Sequence, residues 1–109
     1  MSMRIVDLSR PAPSAGDSAR LARLTRHLEA RLNDFGPAGP EVRSANQETG
    51  LVLAFFPGRS PGALADILAR RFGILARTEG DCVGFQLTPE CPFEELDYVW
   101  GCLFQIFSP

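Results

Sequence analysis

The stretch from Leu51 to Phe107 constrains this chain most, because its apolar residues dictate strand, helix, strand, strand and helix in that order. Leu51–Phe56 is apolar at every position, so it reads as a central strand covered on both sides. Ser60 then offers a capping oxygen, and Pro61 supplies a fixed φ that suits a first helical turn. Leu64, Ile67, Leu68 and Phe72 follow on one helical face, and Gly73 permits a sharp reversal. Ile74–Thr78 reads as a short strand and Glu79-Gly80-Asp81 as a hairpin turn. In the returning strand, Cys82–Thr88, Val83, Phe85 and Leu87 face one side and Cys82, Gly84 and Gln86 the other. Pro92 fits the first turn of a last helix, and Glu94 and Glu95 lie where the helix dipole favours negative charge. Phe93, Leu96, Val99, Trp100, Leu103, Phe104 and Phe107 then recur at helical spacing. That stripe is wider than one small sheet requires, so part of it is expected to face another helix or another chain.

Upstream, Leu21, Leu24, Leu28, Leu32 and Phe35 recur at steps of three and four and predict a helix capped by Asp17 or Ser18 and ended by Gly36-Pro37. Arg20, Arg23, Arg26, Glu29 and Arg31 lie off that stripe and are expected to face water. His27, the one histidine, has no acid or nucleophile in its local pattern and is assigned to the boundary. Residues 1–16 carry a short apolar patch (Met3, Ile5, Val6, Leu8) and then Pro11-Ala12-Pro13-Ser14-Ala15-Gly16, which predicts an extended arm or linker whose first residues dock. Glu41–Ser44 is read as a short edge strand. The predicted fold is therefore an α/β domain of the α+β type over residues 17–109. It is a two-layer sandwich with a small, mostly antiparallel sheet, helices on one face, and the order α-β-α-β-β-α.

Composition narrows the partners. The 109 residues suit one domain, and 45% hydrophobic with 22% charged residues is ordinary for a soluble protein. The net charge of -2 comes without an acidic or basic block. A nucleic-acid surface would leave a basic stripe, so no such partner is expected. No apolar run approaches the roughly 18 residues of a membrane span, and the first residues lack the apolar core of a secretion signal. The sequence thus predicts a cytoplasmic protein without a membrane partner. Cys82, Cys91 and Cys102 are odd in number and share no C-x-x-C spacing, which argues against a disulfide framework or a zinc site. Arg59-Ser60, at a helix start where free N–H groups converge, is a candidate anion contact, with an ordinary helix cap as the simpler reading.

Residues from about Leu28 to Phe107 resemble the small C-terminal domain of the class V aminotransferases and cysteine desulfurases, pyridoxal-phosphate enzymes of the aspartate-aminotransferase fold. The likeness is carried by Leu28-Glu29-Ala30-Arg31-Leu32 followed by Phe35-Gly36, by Ser60-Pro61-Gly62-Ala63-Leu64-Ala65-Asp66-Ile67-Leu68, by Gly73-Ile74-Leu75-Ala76-Arg77-Thr78, and by Pro92-Phe93-Glu94-Glu95-Leu96-Asp97. In the desulfurases a loop cysteine that accepts sulfur follows at a spacing that falls on Cys82. The resemblance therefore makes Cys82 a candidate sulfur acceptor, with Arg77 across the hairpin as a candidate ligand contact or thiolate partner. Glu79 and Asp81 oppose that role, since carboxylates beside a thiol raise its pKa.

Three departures bear on activity. All eleven basic residues are arginine, so there is no lysine for a pyridoxal-phosphate Schiff base. The family's substrate-carboxylate arginine corresponds to Gly84. Its Gly-His-His turn is here Glu79-Gly80-Asp81. The resemblance then implies a non-catalytic, stand-alone relative of the small domain, without cofactor, acting by binding or as a homo-oligomer. One alternative is one chain of a split enzyme whose large domain is a separate protein. Two others are a sulfur relay through Cys82 and a regulatory module that binds a small molecule.

Overall fold

The computed structural model describes residues 5–107, so the docking contribution expected of Met3 lies outside them. Its elements are β1 (Val6–Asp7), α1 (Ser18–Asn33), β2 (Glu41–Ala45), β3 (Leu51–Phe55), α2 (Pro61–Phe72), β4 (Ile74–Leu75), β5 (Arg77–Glu79), β6 (Cys82–Gln86) and α3 (Phe93–Phe107). Local chemistry sets several boundaries. Asp17 Oδ1 accepts from the Arg20 N–H at 3.0 Å, and Ser60 Oγ accepts from the Ala63 N–H at 3.1 Å. Each supplies a partner to a donor that a first turn leaves unpaired. Gly73 closes α2 at φ +70°, a conformation in which a side chain would clash.

β2, β3, β6 and β5 form an antiparallel sheet in that spatial order, and β1 pairs in parallel with β4. The fold is the expected two-layer α+β arrangement. Val52, Ala54, Val83 and Phe85 on one sheet face join Leu24, Leu28 and Leu32 of α1, Leu64 and Leu68 of α2, and Leu96, Val99 and Leu103 of α3 in one core. At about 25 cal/mol per Å² of apolar area removed from water, this shared core is the main stabilising term. Thr25 joins it as a buried polar residue, its hydroxyl donating to the Leu21 carbonyl at 2.8 Å.

The structure departs from the sequence reading in four places. β3 is covered fully on one face only; Leu51, Leu53 and Phe55 on the other are half-buried. There the guanidinium of Arg43, which occupies a bulge in β2, lies 4.7 Å from the Phe55 ring centre. A half-covered face still favours apolar residues when long arginine stems lie over it. Second, the predicted strand Ile74–Thr78 is broken at Ala76, because β4 pairs with β1 and β5 pairs with β6. Third, the first residues of the arm dock as expected, but as full members of the core rather than as an appended arm: Val6 and Leu8 are 1% and 2% exposed. Leu8 N–H donates to the Leu75 carbonyl, and its own carbonyl accepts from Gln86 N–H, both at 2.8 Å. The arm thereby bridges β4 and the end of β6. Fourth, Arg20 and Arg31 are half-buried rather than solvent-facing; they lie along α3.

Candidate functional site

The arrangement of α3 follows from its seam with α1. Arg20, His27 and Arg31 are spaced by seven and four residues and fall on one edge of α1. Arg20 Nε donates to the Pro89 carbonyl at 2.7 Å and its Nη2 to the Cys91 carbonyl at 3.1 Å, fixing the loop that leads into α3. Its guanidinium also lies 5.2 Å from the Phe93 ring centre. His27 Nε2 and Arg31 Nε meet the same oxygen, Asp97 Oδ1, at 2.8 and 3.0 Å. The His27 ring sits edge-on to Phe93 at 5.2 Å. The hydrogen bond from His27 holds the Asp97 carboxyl below its ordinary range, against the upward push of burial and with help from Arg31. The signal for this latch was in the sequence: His27 and Arg31 form an i, i+4 pair beside the leucine stripe.

Fixing α3 in this way leaves its far side uncovered. Leu96, Val99, Cys102 and Leu103 are buried, whereas Phe104 is 49% exposed. Phe104 stacks on Trp100 with ring centres 5.3 Å apart, and Phe35, just beyond α1, touches both rings and Phe107. Arg31 lies 4.9 Å from the Trp100 ring centre and Arg59 lies 5.1 Å from that of Phe107. Each such cation–π contact is worth about 0.5–1 kcal/mol at an exposed site. Together they tie the aromatic patch to α1 and to the loop before α2. Trp100 Nε1 is buried with no partner among the described residues. Aromatic anchors with arginine at the rim are the composition of binding surfaces rather than of free protein surface.

The residues singled out from sequence lie elsewhere or serve the fold. Ser60 caps α2. Arg59 stacks on Phe107 and donates to the Ile106 carbonyl at 3.4 Å, so it ties the loop before α2 to the end of α3. Cys82 opens β6 opposite Glu79, whereas Arg77 stands opposite Gly84 and pairs with Glu79 at 3.0 Å. Burial pushes the Cys82 thiol up. Asp81, which accepts its S–H at 3.5 Å, pushes it further, and the opposing cation is Arg43. Arg77 Nε is buried without a partner among the described residues. At Gly84 a Cβ would lie 3.2 Å from Leu53 Cδ2, a tight contact that the leucine side chain would have to yield to. His27 is bonded within the α1–α3 seam.

A cleft of about 410 Å³ separates the arm from the β6–α3 loop and is lined in part by Asp7, Arg10, Glu90, Cys91 and Glu95. Asp7 is engaged there by Ser9 and Arg10. Burial, with Glu95 adding, raises the Cys91 thiol to about 11, so it is protonated at neutral pH. Among the described residues no cluster of His, Cys, Asp and Glu is arranged to hold a metal ion. Nor is any helix among them long and apolar enough to cross a membrane. No protein-family model matches the chain, and no curated protein matches it.

Proposed function

We propose that this domain acts by binding a protein rather than by catalysis, through the aromatic patch on the outer side of α3. The observation that carries the reading is Phe104: 49% exposed, yet packed against Trp100 and Phe35. An aromatic anchor packed in this way costs little conformational entropy on docking, which is what makes such residues productive in interfaces. The likeness of residues 28–107 to the small domain of class V aminotransferases supports the same reading. A relative of that domain that keeps the scaffold, with no lysine among its 109 residues, is suited to binding. Three free thiols fit a reducing compartment, and we place the protein in the cytoplasm.

A bait comparison tests the reading. The wild-type chain and a Phe104→Arg variant are used side by side for capture from native lysate, with circular dichroism confirming that both fold. Loss of a stoichiometric partner, or of self-association, in the variant is the expected result. Equal capture by both baits of a lysine-bearing large-domain protein would instead establish a split pyridoxal-phosphate enzyme and end the binding-only reading.

A further inference from the structure

We propose that the outer edge of β1 takes an extended peptide with basic side chains, which adds a strand in the cleft between the arm and the β6–α3 loop. This is a second site, at the first turn of α3, whereas Phe104 stands in its last. Hydrogen bonding in β1 alternates: Val6 N–H donates to the Gly73 carbonyl and Leu8 N–H to the Leu75 carbonyl, both at 2.8 Å. The backbone N–H and C=O of Asp7, between them, point away from β4 and have no partner among the described residues. Leu8, whose side chain enters the core, lines the cleft together with Ile5 and Asp7, whose side chains lie on the other face. The cleft thus follows the edge of the strand rather than either face. A free strand edge is a template for one more strand, since its N–H and C=O groups match those of an extended chain.

The opposite wall is fixed. Gln86 N–H donates to the Leu8 carbonyl and ties β1 to the end of β6. Beyond that point the chain diverges from β1, and Arg20 holds it to α1 through the carbonyls of Pro89 and Cys91. The slot of about 410 Å³ left between the two walls is of the size of a ligand-binding cleft. Charge then selects the peptide. The charged side chains lining the slot are Asp7, Arg10, Glu90 and Glu95. Arg10 is engaged by Asp7 at 3.3 Å. Glu90 and Glu95 have no ion-pair partner among the described residues, so the slot keeps an excess of negative charge. Lysine or arginine on an incoming strand matches them, and an acidic strand is repelled. Ile5, 60% exposed, and Pro92 offer apolar contact to the side chains between.

Fluorescence anisotropy of the full chain with a labelled peptide of alternating lysine and valine tests this. The expected result is saturable binding that is lost when the peptide is N-methylated along one backbone edge, its charge unchanged. Glu90→Gln and Glu95→Gln together weaken binding by about five- to tenfold, the effect of two screened ion pairs. On binding, the Asp7 amide proton becomes protected from exchange, a readout that charge attraction alone does not move. Phe104→Ser leaves the affinity unchanged; a loss there would move the peptide to the aromatic patch and overturn the site. Absence of binding by about 1 mM overturns the inference. Equal binding of a glutamate–valine peptide, or of the N-methylated one, does so too, because charge or strand pairing then plays no part. Free arginine competing as well as the unlabelled peptide overturns the peptide assignment in favour of a small cationic ligand.

Discussion

Replacing Asp97 by Asn removes the charge at the centre of the α1–α3 latch and leaves an oxygen of the same reach. In the native protein one carboxylate oxygen serves His27 at 2.8 Å and Arg31 at 3.0 Å, with the three side chains 31–44% exposed. Water screens pairs as exposed as these, so each is worth no more than the few tenths to 1 kcal/mol of surface ion pairs, and the two together about 1 kcal/mol. With a urea slope of roughly 1–2 kcal/mol per molar, Asp97→Asn lowers the unfolding midpoint by about 0.5–1 M at pH 7. The pH dependence follows from the direction of the shift. Asp97 is held below its ordinary value of 3.8 in the folded state. Its contribution is therefore complete above 3.8, the unfolded value, and is lost as pH falls through the folded pKa. Urea titrations of both proteins from pH 7 down to the acid transition should show a gap that holds steady and then closes below the ordinary aspartate range. A gap that persists unchanged in acid, or none at neutral pH, would refute the account of the latch.

Three further outcomes follow from the same structure. Leu8→Ala, at a residue 2% exposed where the arm bridges β4 and β6, should cost about 2–5 kcal/mol by chemical denaturation, and a loss under 1 kcal/mol would mean that the arm is not part of the core. Gly101→Ala should raise stability by about 0.5–1 kcal/mol when measured at concentrations low enough to exclude association, because the added methyl meets nothing; destabilisation would refute the open space there. Native Cys82, Cys91 and Cys102 should be alkylated at pH 8 more slowly than the same thiols in urea, because burial raises all three pKa values. Native labelling of Cys82 faster than in urea would revive the sulfur-relay reading.

Much of the scaffold was legible because its signals are local. Asp17, Ser60 and Gly73 mark helix ends through groups within three or four residues of themselves, and the hairpin at Gly80 follows from a two-residue turn with φ +61°. The alternation of Val83 and Phe85 against Cys82, Gly84 and Gln86 likewise needs only the period of a strand. The candidate surface was half legible. The excess width of the α3 stripe foretold a second use for it, but which of its aromatics would remain exposed depended on where α1 lay.

The sequence by itself determined the kinds of element, their order and the apolar face of each, since these follow from side-chain period and capping chemistry within a few residues. It also determined that these residues offer no amine for a Schiff base. The tertiary structure alone decided the pairing of β1 with β4, the break at Ala76, and the half-burial of Arg20, His27 and Arg31 along α3. It alone placed Arg77 opposite Gly84 and left Cys82 facing Glu79. Those outcomes join residues as many as 71 positions apart. No local preference distinguishes among such contacts; they are selected by which arrangement buries the leucines of α1 and α3 and the arm together while leaving few buried donors unpaired.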